Sequence, residues 1–195
     1  MDFFRVWWSG YVDPLGVGGR LEGRPALRWG FYGQALRALF DSLLLYLPLA
    51  LLGRQPSTPP TLSLIPADSY YLASVGFMPV FLLAQWLLLG LVLHLLLKAL
   101  RRRSDLGWIL NLTGMAALVV GAFLVAWDWG CVLFGVRSDV FLGLSHLALD
   151  GWGVAIIAAG LRRQLGVPIG LGLALTLLYL ILAVAPAMLI VRGPV

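Results

Sequence analysis

The sequence contains five apolar stretches, and each is long enough to cross a lipid bilayer as a helix. Short charged or Pro/Gly-rich segments separate them. A helix that crosses the hydrocarbon core needs about 20 mostly apolar residues. Helices are favoured over barrel strands because the stretches show no alternation with a period of two. The sequence therefore predicts an all-α polytopic membrane protein, a bundle of five transmembrane helices. The predicted spans are residues 35–52, 76–97, 106–126, 141–161 and 167–191, within a transmembrane domain of residues 35–195.

The composition places the chain outside the soluble globular class. Of its 195 residues, 61% are apolar and 12% are charged, whereas soluble domains have about 25% charged residues. The formal net charge is +5, but the basic residues lie beside apolar segments, where they set topology and meet anionic headgroups. We therefore expect the lipid bilayer, and not nucleic acid, as the charged partner. The single cysteine, Cys131, cannot form a disulfide framework.

The distribution of basic residues predicts which ends of the spans face the cytoplasm. With five spans and the N-terminus inside, all of the 14 Lys and Arg residues except Arg54, Arg137 and Arg192 lie on the inner side. A positive-inside bias of this kind is typical of helical membrane proteins. The sequence therefore predicts a multi-pass protein of the bacterial inner (cytoplasmic) membrane, with its N-terminus inside and its C-terminus outside.

Residues 1–34 differ from the rest of the chain and are predicted to form a cytoplasmic, interfacial segment. Aromatic side chains surround Arg5, an arrangement that places rings in the leaflet and the guanidinium at the phosphates. Asp13-Pro14 and the Gly-rich residues 16–19 end this part. A short ordered tail packed on the helix ends is the alternative. The aromatic residues are Phe3, Phe4, Trp7, Trp8 and Tyr11.

Three polar residues fall in the inner third of the predicted spans. Asp41 lies in the first span, His94 near the end of the second and Asn111 near the start of the third. Ionisable residues within spans are costly and are therefore candidates for function. If the three helices are neighbours, these side chains form one polar cluster. The cluster would either tie helices together by hydrogen bonds or bind a proton or cation. The third alternative is that these side chains simply snorkel towards the interface.

Two pairs of ionisable residues have the i, i+4 spacing that places side chains on one helical face. In the first pair, Arg37 would neutralise Asp41 within the helix. The second pair, His146 and Asp150, lies in the outer half of the fourth span. It either forms a hydrogen bond or supplies two metal ligands, but a metal site needs three or four. Because further ligands could come only from Asp128, Cys131 and Asp139, we assign no metal or cofactor.

No set of residues in the sequence indicates catalysis. Ser42 and Ser145 lack the motif that would support a nucleophile. Residues 16–19 are Gly-rich but follow no predicted strand, as a phosphate-binding loop would. We therefore expect that the protein is not an enzyme.

Small residues recur every four positions in the last two spans, and Ala117 and Gly121 have the same spacing in the third. Faces of this kind let transmembrane helices approach closely. They would either close the bundle internally or form a face for another membrane protein. Pro48 and Pro186 are expected to kink the first and last spans, and Gln85 lies in the second span without an obvious partner. The small residues are Gly151, Ala155, Ala159, Gly166, Gly170 and Ala174.

The order of these parts resembles that of the Yip domain family, and most of all its bacterial branch. The resemblance covers most of the chain. It implies five spans and a cytosolic N-terminus, and members of the family are partners of Ypt/Rab GTPases. The residues that carry it are Asp13-Pro14, Leu21, Arg24-Pro25, His94, Trp152 and residues 161–167.

Two departures from the family pattern argue against GTPase binding. Residues 106–126 lack the proline that members often carry in the third span, and the long cytosolic arm of the eukaryotic members is missing. The expected function is that of a Yip-type membrane scaffold or adaptor, which binds another membrane protein, associates with itself or organises lipid. The alternative is a small transporter or channel that uses Asp41, His94 and Asn111.

Overall fold

A computed structural model describes residues 2–23, 27–56 and 65–194. In these ranges the chain is helical and without strands, and five helices are long and apolar enough to cross a membrane. The predicted all-α, multi-pass fold is therefore confirmed. Of the residues that carry the family resemblance, Arg24 and Pro25 lie outside the described ranges. The five spans are Arg28–Leu51, Ala67–Ala99, Leu106–Leu133, Asp139–Leu165 and Ile169–Ile190.

The first four spans are longer than the predicted apolar segments. The first begins at Arg28 rather than at residue 35, and the second at Ala67 rather than at residue 76. Apolar length marks the part of a helix that crosses hydrocarbon, but its backbone hydrogen bonds continue into the headgroup region, where aromatic and long basic side chains are favoured. The predicted boundaries were therefore too narrow, most of all in the first span.

The bundle has two ends, and basic residues cluster at one of them. We call it the basic end; the first, third and fifth spans begin there, and it carries Lys98, residues 101–103 and Arg162–Arg163. The third span is the central element, because 78% of its most apolar window is buried, against 11% for the fifth span. The first, second and fourth spans all pack against it.

Glycines bring the first and third spans into close contact near the basic end. A Cβ atom on Gly30 would overlap the Leu110 carbonyl, and one on Gly114 would overlap the backbone of Gly30. The backbone N–H of Gly30 also donates to Oδ1 of Asn111 at 2.7 Å. The two helices therefore run in parallel with their backbones in contact, a geometry that only residues without a side chain allow.

Pro48 follows a π-helical segment of the first span, Phe40–Tyr46. A proline has no N–H, so the carbonyl four residues earlier loses its helical donor. That carbonyl belongs to Leu44, and Nε1 of Trp129 in the third span donates to it at 2.7 Å. The sequence predicts a kink at Pro48, and the structure has a π-helical segment there instead of a sharp kink. The third span supplies the hydrogen-bond donor that the Leu44 carbonyl lacks.

Gln85 has a partner that the sequence did not reveal. Its Nε2 donates to the carbonyl of Ala183 at 2.9 Å, and Pro186 follows three residues later inside the fifth span. The carbonyl that Pro186 leaves without a helical donor is that of Leu182, so Gln85 contacts the neighbouring residue of the same turn. Gln85 therefore joins the second span to the fifth.

The N-terminal residues form a helical hairpin along the side of the bundle. Its first arm is the helix Phe3–Val12 and its second arm ends with the short helix Val17–Arg20. Nε1 of Trp152 in the fourth span donates to the Gly10 carbonyl at 3.0 Å. In the second arm, Gly18 lies against the backbone of Gly160. We call residues 3–20 the N-terminal hairpin.

The hairpin reaches further along the spans than a tail packed on the helix ends would. Gly10 lies against the side chain of Val119, which is thirteen residues, or about 20 Å, along the third span from Leu106. Val6, a residue of the first arm, is completely buried. The structure therefore places the first arm beside the middle of the bundle, and the second arm returns towards the basic end.

Two tyrosines hold the C-terminal end of the fifth span. The Tyr70 hydroxyl donates to the Ile190 carbonyl at 2.8 Å and accepts from the backbone N–H of Arg192 at 2.8 Å. The Tyr71 hydroxyl donates to the Gly193 carbonyl at 2.7 Å. Ile190 is the last residue of the helix and its carbonyl has no donor within the helix, so the Tyr70 hydroxyl supplies one. The Tyr71 hydroxyl fixes the segment that follows the helix.

Substituting Tyr70 tests this clamp. We expect Tyr70→Phe to speed amide hydrogen exchange in the last turn of the fifth span about fivefold, the equivalent of about 1 kcal/mol for a lost hydrogen bond. Tyr32→Phe, at the basic end, is the matched control and should leave that turn unchanged. Hydrogen exchange with mass spectrometry in detergent measures both, and equal exchange in the two variants would contradict the clamp.

Candidate functional site

Five ionisable residues from three spans meet within the bundle. The first span contributes an ion pair, in which Nη2 of Arg37 lies 3.0 Å from Oδ2 of Asp41. The third and fourth spans contribute a second pair, with Nε2 of His146 at 2.7 Å from Oδ1 of Asp128. Asp150 of the fourth span interacts electrostatically with Arg37 and His146, and Asp41 does so with Asp128 and His146. We call these five residues the charged cluster.

The charged cluster lies in a groove between the first and fourth spans. Both spans pack on the third span, and the N-terminal helix fills the half of the groove nearer the basic end. Its Trp7 ring is 6.1 Å from Phe40 of the first span, and its Tyr11 ring is 5.0 Å from Phe123 of the third. The charged cluster occupies the half beyond that helix, towards the opposite end.

Helix geometry gives the depth of the cluster. Arg37 is nine residues beyond Arg28 and Asp150 is eleven beyond Asp139, so both lie about 15 Å from the ends of their spans. His146 and Asp128 lie closer to the opposite end. The cluster therefore extends from the middle of the bundle towards the end that the sequence predicts to be outside.

A glycine makes room for the guanidinium. A Cβ atom on Gly121 of the third span would overlap Cδ of Arg37, so the Arg37 side chain lies directly against the third-span backbone. Its Nη1 atom is buried and has no hydrogen-bond partner among the described residues. Arg37 therefore has one nitrogen on Asp41 and one with unused donor capacity inside the cluster.

The cluster is buried on one side and accessible on the other. The side chains of Asp128 and Asp41 are 6% and 9% exposed, and that of Arg37 is 15% exposed. The His146 side chain is 29% exposed, and Asp150 is half-buried. The fourth-span residues thus form the open wall of the cluster, where a ligand or partner would meet it first.

The charges in the cluster do not balance. Three carboxyl groups face one guanidinium and one imidazole, so the acidic groups outnumber the basic ones. Buried ions need compensation, because an unpaired charge within a membrane costs several kcal/mol. The arrangement can therefore take up a positive charge, such as a proton, a cation or the basic side chain of a partner.

The predicted cluster of Asp41, His94 and Asn111 is wrong. His94 lies at the basic end, where its Nδ1 is 2.7 Å from the Ser104 hydroxyl, and Asn111 accepts from the backbone of Gly30. Asp41 is eleven residues, or about 16 Å, further along the first span than Gly30. The error has one cause: the first span begins at Arg28 and not at residue 35, so Asp41 is much deeper than the sequence indicated.

Of the two predicted i, i+4 pairs, one is present as an ion pair. Arg37 and Asp41 form it, but His146 makes its short contact with Asp128 across the helices rather than with Asp150. Asp128 lies beyond residue 126, where the predicted third span ends, but the structure places it inside the third-span helix Leu106–Leu133. No group of three or more metal-ligating side chains is found in the part of the chain that the structure describes.

The predicted small-residue faces of the fourth and fifth spans are not the ones that close the bundle. Gly151, Gly170 and Ala174 are exposed, and Ala155 and Ala159 are half-buried. Gly166 lies outside the helices, in a left-handed conformation (φ 64°) that ends the fourth span. The close contacts instead involve Gly10, Gly18, Gly30, Gly33, Gly114, Gly121 and Gly160. The exposed residues therefore do not close the bundle internally.

Comparisons of the chain with protein-family models, with curated proteins and with solved structures find no match. The Yip-type assignment therefore stays a prediction that rests on the residues quoted from the sequence.

Proposed function

We propose that the protein is a non-catalytic scaffold or adaptor of the bacterial inner membrane, of Yip type, with its N-terminus inside and its C-terminus outside. In this proposal it binds a transmembrane helix of another membrane protein over the charged cluster. The observation that carries the proposal is a partly open charged cluster at mid-bilayer depth, with more carboxylates than basic groups.

The energetic argument concerns the open wall of the cluster. His146 and Asp150 are accessible from the side of the bundle, where lipid chains would otherwise contact them. A charged group facing hydrocarbon is costly, and charged residues in spans therefore pair with other groups. A partner helix that carries a lysine or arginine at this depth would cover the wall and neutralise the excess carboxylate.

The surface of the fourth span also permits close approach. Gly143 is seven residues, or two helical turns, from Asp150 and so lies on the same face. No atom outside its own helix lies within 4 Å of where its Cβ would be. A partner helix can therefore lie against this face at short distance.

Asp150→Asn tests the adaptor proposal, because it removes the accessible charge and keeps the shape. We expect recovery of the partner to fall at least about tenfold, as in the loss of one member of a buried interfacial charge pair. A photocrosslinking residue at the exposed Leu147 should capture the partner in native membranes, and mass spectrometry identifies it. Differently tagged copies in the same cells show whether the partner is a second copy of the chain.

The matched control is Asp68→Asn, which makes the same change at an exposed residue in the first turn of the second span. It should leave crosslinking from Leu147 unchanged. Equal crosslinking by the wild type, Asp68→Asn and Asp150→Asn would contradict the role of the charged cluster, and a wild-type protein that gives no adduct in native membranes would contradict the adaptor function itself.

A second candidate is proton or cation transport through the same cluster. The specific observation in its favour is the His146–Asp128 contact of 2.7 Å beside the Arg37–Asp41 pair, because chains of histidine and carboxylate side chains relay protons in membranes. His146→Gln should then abolish a flux that wild-type proteoliposomes show. Wild-type proteoliposomes that carry no proton, cation or small-solute flux would exclude this candidate.

A further inference from the structure

Within the described part of the chain, His146 has a hydrogen-bond partner at one ring nitrogen. Its Nε2 lies 2.7 Å from Oδ1 of Asp128. A carboxylate accepts hydrogen bonds and has no hydrogen to donate, so Nε2 carries the hydrogen of this contact. The neutral ring then has a lone pair at Nδ1, and a proton that charges the ring can add only at that atom.

The charged and acidic groups that face this imidazole come from three spans. Asp128 of the third span holds the ring. Asp150 lies one helical turn further along the fourth span and interacts electrostatically with His146. Asp41 of the first span also interacts with His146, and Arg37 pairs with Asp41. Three further groups interact with Asp128 and are neutral below about pH 7.5: the phenols of Tyr46 and Tyr71 and the thiol of Cys131.

A proton on His146 would supply the charge that the cluster lacks. The acidic groups outnumber the basic ones, and in the proposed adaptor function a lysine or arginine of the partner corrects this imbalance. A proton at Nδ1 places a positive charge beside Asp128 and Asp150, the carboxyl groups nearest to the open wall. A second cation at the same place would then meet a like charge, which strongly opposes binding in a medium of low dielectric constant.

We propose that protonation of His146 and docking of the partner's basic side chain exclude each other, so that partner binding weakens as the pH falls. The inference rests on the proposed adaptor function and adds the regulation of the same site. Histidine is the side chain whose charge ordinarily changes within the physiological pH range. Because the cluster extends towards the end predicted to be outside, the pH on that side controls binding.

The sign of the effect follows from reciprocal coupling between the proton and the partner. A basic partner that binds only the neutral form of His146 releases a proton from the protonated form when it docks. Docking is therefore favoured at high pH, where the ring is already neutral, and is opposed at low pH, where the ring must first lose its proton. The opposite dependence would require the partner to bring a negative charge.

Photocrosslinking from Leu147 in native membranes tests the proposal, with the membranes equilibrated at about pH 7.5 and at about pH 5.5 on either side of the ordinary histidine range. We expect the yield of the wild-type adduct to be about fivefold lower or less at the lower pH, the smallest effect typical of coupled binding sites. The readout is the ratio of the two yields within each variant, so differences in expression or in absolute affinity cancel.

Two glutamine variants assign the effect to one histidine. In His146→Gln the side-chain amide can still donate to Asp128 but does not titrate, so the ratio of its two yields should be close to one. His94→Gln is the matched control, because His94 is the only other histidine of the sequence. It lies at the basic end beside Ser104, and its replacement should leave the wild-type ratio unchanged.

The outcomes separate the regulation from the adaptor function. Wild-type yields that are equal at both pH values, or higher at the lower pH, would overturn the regulation and leave the adaptor function standing. The same fall in His146→Gln as in the wild type would assign the pH dependence to the carboxyl groups and overturn the role of His146. A wild type without an adduct at either pH would contradict the adaptor function, and this inference with it.

Discussion

Replacing Gly30 by leucine is expected to prevent the first span from docking on the third. A Cβ atom at Gly30 would overlap the Leu110 carbonyl and would come within 2.8 Å of the Cα of Asn111. Both groups are backbone, so neither can move aside as a side chain would. We expect a loss of stability of about 3 kcal/mol, the upper end of what overpacking costs. Unfolding of the detergent-solubilised protein, followed by tryptophan fluorescence, measures it.

The chain supplies a matched control for this substitution. Gly76→Leu makes the same change in the second span, where no atom outside its own helix lies within 4 Å of the added Cβ. It should leave the unfolding transition within about 0.5 kcal/mol of the wild type, as surface substitutions do. Similar losses in the two variants would contradict the close contact of the first and third spans.

Gly30→Leu also affects the hydrogen bond of the same crossing. The Gly30 N–H donates to Asn111, which is buried, and separated helices leave the asparagine oxygen without this donor. A buried polar group without its partner costs about 1 to 3 kcal/mol. Asn111 thus acts as a structural residue that fixes the register of two parallel helices, which is one of the alternatives that the sequence leaves open for it.

Hydropathy predicts the five spans because crossing hydrocarbon requires length and apolar composition in one continuous segment. It does not predict where a helix ends in the headgroup region, since there polar and aromatic residues are equally acceptable. Arg28, Trp29 and Gly30 were assigned to an interfacial segment for that reason. The position of Asp41, and with it the composition of the candidate site, depended on this one boundary.

Contacts between helices are the part of the fold that the sequence pattern could not give. Gly170 and Ala174 have the spacing of a packing face and are exposed, whereas Gly30 belongs to no such pattern and lies at one of the closest contacts. Gly121 has the spacing, together with Ala117, and does lie at a close contact. A glycine's role depends on which helix faces it, and nothing local to the glycine encodes that. The Arg37–Asp41 pair was predictable because it is local, within one helical turn.

The second large effect is expected at the Arg37–Asp41 pair itself. Asp41→Leu leaves Arg37 buried against Gly121 without its nearest counter-charge, and breaking a buried ion pair costs about 3 to 5 kcal/mol. We expect this single substitution to lower the unfolding transition in detergent by that amount, reduced to the extent that the nearby Asp150 compensates Arg37. Fluorescence-detected unfolding at constant detergent concentration measures the change.

The double variant Arg37→Met/Asp41→Leu distinguishes an ion pair from simple packing. It removes both charges and keeps similar volume, and replacement of a buried pair by apolar residues is often neutral. We therefore expect the double variant to be more stable than Asp41→Leu alone, with a coupling free energy of about 2 kcal/mol or more between the two positions. Additive losses would mean that Arg37 and Asp41 act separately. If the double variant recovers its stability but no longer crosslinks from Leu147, the charges of this pair serve partner recognition and not folding. An apolar pair would then stabilise the fold equally well, so stability alone does not explain charged residues at this depth.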